Sequence, residues 1–249
     1  MLAKSYKYDI IYLRLLIVLT INLLKQELKM ERKISRSYLK PEKTEKYVWF
    51  HMNPYPEIME ILCLSDSRNY SIWIHESQLY NYVEEIPHSS ILENDYAEFT
   101  SDERKIANAD WVENVRPCFL YHEQEMYEDQ LSEIIHIDGD KDKKAAKQRK
   151  VFRFLLNQDK AENYRLMIEN DAEKLSEILT SYNIGNLSLS GKDNEVYIYY
   201  EYYGEQYEKD IKDLLNNSFI SKMKEEAEAC MTKNNETYYT EYRQIFLSL

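Results

Sequence analysis

A chain of 249 residues has room for one or two ordinary domains, and its formal net charge of −12 argues against a nucleic-acid or anionic-lipid surface, which needs basic patches. Only four glycines are present, with no Gly-x-Gly-x-x-Gly or Gly-Lys-Ser/Thr string, so a phosphate-cradling loop is excluded. Cys63, Cys118 and Cys230 are odd in number and widely spaced, which points to free thiols in a reducing cytoplasm rather than a disulfide framework or a metal site.

Residues 1–29 open with Lys4 and Lys7 and then run apolar from Ile10 to Leu24, interrupted by Arg14. The run is short for a membrane span, which needs roughly 20 apolar residues. It has the outline of a signal peptide without a small-x-small cleavage site. Three readings stay open: translation starting at Met30, an anchor, or a signal. A membrane partner enters only through this segment.

Residues 33–40 read as a strand. Pro41 fits a first helical turn, with Glu42 and Glu45 near the positive helix end. The helix that follows shows Phe50, Ile58, Ile61 and Leu62 on one face, and Pro54 and Pro56 break it after His51. Residues 69–74 and 79–84 read as strands, 101–114 as a helix and 134–137 as a strand. The Lys/Asp-rich stretch 138–148 reads as a linker. A second series follows: strand 150–157, a helix with Met167, Leu175, Ile178 and Leu179, strands 186–189 and 195–201, helices near 206–216 and 221–231, and a last strand 244–247. Tyrosine, 23 residues in all, suits sugar or aromatic pockets through its flat body and polar tip, although most copies are expected to fill strands.

The two series resemble each other. Shifted by 117 residues, 33–84 lies over 150–201 without a gap. Arg36 meets Arg153, Leu39 meets Leu156, Tyr47 meets Tyr164, and Tyr80-x-Tyr82-x-Glu84 meets Tyr197-x-Tyr199-x-Glu201. The last strands match at a different offset. Where copy 1 has His51 and Tyr70, copy 2 has Ile168 and Leu187. The order β-α-β-β-α-β, twice, is the ferredoxin-like plan. A single such sheet leaves one face bare, so the two copies are expected to pack sheet to sheet as a pseudo-dimer within one chain. The fold class is α+β: tandem ferredoxin-like units forming an intramolecular dimeric α+β barrel, monomeric overall. The expected divisions are 1–29, a first unit 30–138, a linker 139–148 and a second unit 149–249.

Copy 1 reads Leu39-Lys40-Pro41, then Glu45-Lys46-Tyr47-x3-His51-x4-Pro56-Glu57-Ile58, and later Asn69-Tyr70-Ser71-Ile72. This resembles the L-rhamnose mutarotase family, whose members are dimeric α+β barrels that exchange sugar anomers without metal or cofactor. The resemblance implies catalytic roles for Tyr47 and His51 and a substrate-binding role for Tyr70, beside Asn69. The family's tryptophan pair is not matched: Val115-Arg116 stands near that place, with Trp111 a turn earlier. Either the pair is lost or Trp111 takes its role at the sugar.

Anomer exchange moves one proton off the anomeric hydroxyl and another onto the ring oxygen. Tyr47 and His51, four apart on a helix, lie on one face and can serve the two oxygens, in an order the residues leave open. Copy 2 keeps Tyr164 without the histidine and is read as degenerate. His75, His88, His122 and His136 show no ligand spacing. Glu84 with Glu201 and Arg36 with Arg153 occur in both copies and read as structural. The expected function is an aldose mutarotase acting on a monosaccharide, with no cofactor. The alternatives are a non-catalytic sugar-binding or regulatory protein on this scaffold and an oxygenase of the broader barrel type.

Overall fold

The computed structural model describes residues 30–65, 67–85, 101–138, 145–233 and 236–248. The readings for 1–29 and for linker residues 139–144 lie outside these.

The strand β1 (Glu31–Tyr38) leads through a 3-10 turn, Pro41–Lys43, into α1 (Thr44–Met52). Pro41 sits where no intrahelical N–H is needed. The helix stops at Asn53, and a second helix, α2 (Pro56–Leu64), starts afresh on Pro56. The prolines thus split one expected helix into two. Strands β2 (Ser67–His75) and β3 (Gln78–Glu85) form a hairpin. Helix α3 (Asp102–Val115) is capped by Ser101, whose hydroxyl accepts the Arg104 N–H. A small hairpin, β4 (Tyr121–His122) with β5 (Glu125–Met126), stands off the main sheet. Strands β6 (Glu128–Gln130) and β7 (Ser132–Ile137) follow with only Leu131 between them.

The second half runs β8 (Gln148–Leu156), α4 (Ala161–Asn170), α5 (Ala172–Ser181), β9 (Ile184–Lys192), β10 (Glu195–Tyr202), α6 (Tyr207–Leu215), α7 (Ser218–Glu228), β11 (Met231–Thr232) and β12 (Thr240–Ser248); among the described residues it shares the first half's order as far as α6 and then differs. Gln148, expected in the linker, already belongs to a strand. Arg36 pairs with Tyr80 across β1–β3, and Arg153 with Tyr197 across β8–β10, in matching registers.

The barrel expected from two sheets packing within one chain is formed as one continuous antiparallel sheet, β6-β1-β3-β2-β12-β8-β10-β9-β7, which the adjacency of β6 and β7 in the chain nearly closes. The closing strands cross over. Thr240–Tyr242 of β12 pairs with β8, and Arg243–Ser248 pairs with β2 of the other half. Likewise β6 pairs with β1, while β7 pairs with β9. Bare strand edges are costly, and exchanging the last strands pairs them. The fold is α+β, with helices outside the barrel.

Inside the barrel, Ile34, Trp73, Tyr80, Tyr82, Leu131, Val151, Tyr197, Tyr199 and Tyr242 form one buried cluster. Tyr82 stacks on Tyr199 at 4.0 Å and Tyr80 on Tyr197 at 5.3 Å. Much of the tyrosine is therefore barrel filling. Arg36 bonds Asp129 at 2.8 Å and Glu195 at 2.7 Å, joining the halves. Arg153 reaches Gln78 at 3.0 Å. Glu201 accepts from Tyr199, Tyr203, Asn69 and Asn186, and Asn186 also donates to Glu84 at 2.8 Å. Among the described residues no helix is long and apolar enough to cross a membrane.

Candidate active site

The site lies on the opposite, helix-facing side of the first half's sheet. Alternation along β2 sends Ser71 and Trp73 into the barrel and leaves Tyr70, Ile72 and Ile74 toward the helices. Helix α1 lays Tyr47, Phe50 and His51 against that face, all three buried. Helical spacing puts Tyr47 and His51 one above the other, and their rings stack at 4.0 Å.

His51 Nδ1 lies 2.9 Å from the Tyr47 carbonyl oxygen. A carbonyl oxygen only accepts, so Nδ1 carries the proton and Nε2 keeps its lone pair. Burial lowers the His51 pKa from 6.5 to about 4, against the pull of that hydrogen bond. The ring is thus neutral at pH 7. Burial pushes the Tyr47 phenol well above its ordinary value, and Tyr70 up to about 12, with the Glu128 carboxylate adding to both. Both phenols stay protonated. Among the described residues the hydroxyls of Tyr47 and Tyr70 and His51 Nε2 have no hydrogen-bond partner.

Aromatic walls surround the pair. Trp111 meets His51 edge-on at 5.1 Å, and Phe119 meets Tyr47 at 5.2 Å. Phe246 meets His51 at 5.9 Å and Tyr70 at 5.6 Å. Phe246 comes from β12, so the second half supplies a wall of the first half's site. A neutral base, protonated phenols and apolar walls can move protons on a neutral ligand.

Of the residues expected at the site, the structure brings Tyr47, His51, Tyr70 and Trp111 together. Asn69 is placed elsewhere: its amide donates to Glu201 at 2.6 Å and to Glu84 at 3.3 Å, inside the barrel. Its φ of 48°, like the 42° of Asn186, explains the residue type at a strand irregularity. Sequence reasoning missed Phe246, because the strand exchange that brings it there is not a local property. It also missed Ser35, Ser37, Asn81 and Glu128 on the same sheet face, although three of them could be found by the shift of 117. A groove of about 540 Å³ runs along the other side of α1, lined by Val48, Trp49, Met52 and Arg243, and contains neither Tyr47 nor His51. Among the described residues no cluster of three or more His, Cys, Asp or Glu could hold a metal.

No curated protein matches the chain. Among solved structures, a protein from Lactobacillus acidophilus NCFM assigned as a monooxygenase superposes with a TM-score of 0.49 at 10% identity, covering 87% of this chain and 94% of that one. An uncharacterized ferredoxin-fold protein related to antibiotic biosynthesis monooxygenases, from Listeria monocytogenes 4b F2365, gives a TM-score of 0.41 at 16% identity, covering 87% and 95%. Residues 32–148, slightly under half of the chain, match the model of the L-rhamnose mutarotase family, and Tyr47, His51, Tyr70 and Trp111 all lie within the matched part.

Proposed function

We propose that the chain is an aldose mutarotase that interconverts the α and β anomers of L-rhamnose or a related sugar at a single site, in the first half. The observation that carries this reading is the stacked Tyr47–His51 pair, one partner held as a neutral base and the other as a protonated acid.

In this reading His51 Nε2 takes the proton of the anomeric hydroxyl. The C1–O bond to the ring breaks as the C1 carbonyl forms, and the Tyr47 hydroxyl protonates the leaving ring oxygen. The carbonyl turns about C1–C2. The ring oxygen then returns its proton to Tyr47 and adds to the other carbonyl face, while His51 reprotonates the new anomeric oxygen. Tyr70 orients a ring hydroxyl and Trp111 packs on an apolar ring face. No cofactor enters.

The same reading takes 30–138 as a working unit and 149–249 as a degenerate second unit in a monomeric cytoplasmic protein. The second half contributes Phe246 and completes the barrel. The apolar replacements Ile168 and Leu187 support this division. Magnetisation exchange between the α and β anomeric protons of L-rhamnose is the test, with wild type, His51→Ala and Tyr47→Phe. Acceleration by wild type and its loss in both variants is expected. No acceleration of any 6-deoxy or common aldose would overturn the reading in favour of a non-catalytic sugar-binding protein.

A further inference from the structure

The sheet face beneath Tyr47 carries a chain of polar side chains that proton transfer alone does not require. Asn81 spends both amide hydrogens on the sheet, one on Ser35 Oγ at 3.2 Å and one on Ser37 Oγ at 3.3 Å. The Ser35 hydroxyl in turn donates to Glu128 Oε1 at 2.6 Å. Ser35 stands directly opposite Asn81 across β1–β3, and Asn81 opposite Ile72 across β3–β2. Ile72 and Leu79 pack in the helix-side core with Tyr47, so the alternation of the strands sets Asn81, Ser35 and Ser37 on that same side. Ser35 and Ser37 are buried, Asn81 is half-buried and Glu128 is exposed. The chain of groups therefore runs from a closed interior out to solvent.

The second half shows what this face holds when no ligand is needed. There Phe152 stands opposite Ile198 and Phe154 opposite Val196, in the same register that sets Ser35 opposite Asn81 and Ser37 opposite Leu79. Phe154 and Val196 belong to a large apolar core under the second half's helices, with Phe154 edge-on to Tyr164 at 5.4 Å. An apolar filling is the less costly solution between a sheet and its helices, since buried hydroxyls and amides lose their water. The first half keeps three such groups in a row.

The unspent hydrogen-bonding capacity of the row defines what it can bind. Asn81 Oδ1 and Glu128 Oε2 remain as acceptors, and the Ser37 hydroxyl, which accepts from Asn81, retains its own hydrogen. Sugar hydroxyls donate and accept at once, and so match both kinds of group. A phosphate or carboxylate would meet two acceptors and a like charge.

We propose that Ser35, Ser37, Asn81 and Glu128 form a hydroxyl-binding floor opposite the Tyr47–His51 pair that selects neutral, unphosphorylated sugars over sugar acids and sugar phosphates. The proposal rests on the mutarotase reading for the location and sugar nature of the ligand and adds to it the residues that choose neutral sugars over charged ones.

The test reads binding, by saturation-transfer NMR and titration calorimetry of the full chain with L-rhamnose, L-mannose and L-fucose. The tightest of these is then compared with its uronic acid. Asn81→Leu and Ser37→Ala are each expected to weaken the neutral sugar by about 10-fold, with a cooperative melting transition retained. The uronic acid is expected to bind wild type at least about 10-fold more weakly than its neutral parent, a gap of about 1.4 kcal/mol. Unchanged affinity in both variants, no binding of any of the three sugars, or equal binding of the uronic acid would each overturn the floor. Should Asn81→Leu fail to fold, the smaller Ser37→Ala change decides. Sugar binding that depends on Asn81 without faster anomer exchange would overturn the mutarotase reading and leave the floor standing. Anomer exchange with a KM unmoved in both variants would overturn the floor alone.

Discussion

The His51 imidazole stacks on the ring of Tyr47 at 4.0 Å and bonds the Tyr47 carbonyl oxygen at 2.9 Å through Nδ1. One helical turn thus fixes both the ring orientation and the tautomer. Nε2 keeps its lone pair, and a base of fixed tautomer needs no reorganisation before it takes a proton.

His51→Ala and Tyr47→Phe are each expected to lower the catalysed anomer exchange by about 10²–10⁴-fold, the usual worth of a general acid or base. Magnetisation-exchange NMR measures this directly. Tyr164→Phe, at the matching place in the second half, is expected to leave exchange unchanged, because Tyr164 is sealed in an apolar core with Ile168 beside it.

The His51 site has a defined pH signature. Its folded pKa is about 4, while the unfolded histidine titrates near 6.5. Between these values the unfolded chain binds more protons, so stability falls as pH drops from about 6.5 toward 4 and levels off below. The contribution amounts to at most about 3 kcal/mol. Urea denaturation of wild type and His51→Asn over pH 4–7 is expected to show a shallower pH dependence in the variant; parallel curves would refute the buried neutral histidine.

Phe246→Ala is expected to destabilise the chain by about 3 kcal/mol through the cavity it opens. It should also impair the first half's site, which it walls at 5.9 Å from His51. A fragment of residues 30–138 alone would lack β12 beside β2 and is expected to show no anomer exchange. Activity of that fragment would show that the second half is dispensable.

Arg36 links Asp129 and Glu195, one from each half, and all three are largely shielded from water. Arg36→Met takes the shared cation from both carboxylates and is expected to cost at most about 3–5 kcal/mol in urea unfolding, since Arg153 stays 3.5 Å from Glu195. Lys192 also pairs with Asp129 and will moderate the loss.

Asn69→Ala is expected to lower stability by about 1–3 kcal/mol, because Glu201 and Glu84 lose a buried donor. The KM for sugar should not move, since the amide faces the barrel interior. A raised KM would return Asn69 to the ligand.

The residues by themselves determined the main strands and helices and the placing of Tyr47 and His51 on one helix face. Alternation, helical spacing and proline placement act over a few neighbours and survive without knowledge of the fold. The pairing partners of the last strands were decided only by the tertiary structure. Ser132–Ile137 and Thr240–Ser248 have the same local pattern whether they pair at home or across, and only closing the sheet edges selects the exchange. That exchange brings Phe246 to His51. The face of each strand was likewise a tertiary matter. Asn69 and Tyr70 are neighbours in sequence, yet the positive φ of Asn69 and the pleat send one amide to Glu201 in the barrel and leave the other residue's phenol beside Phe246 at the site.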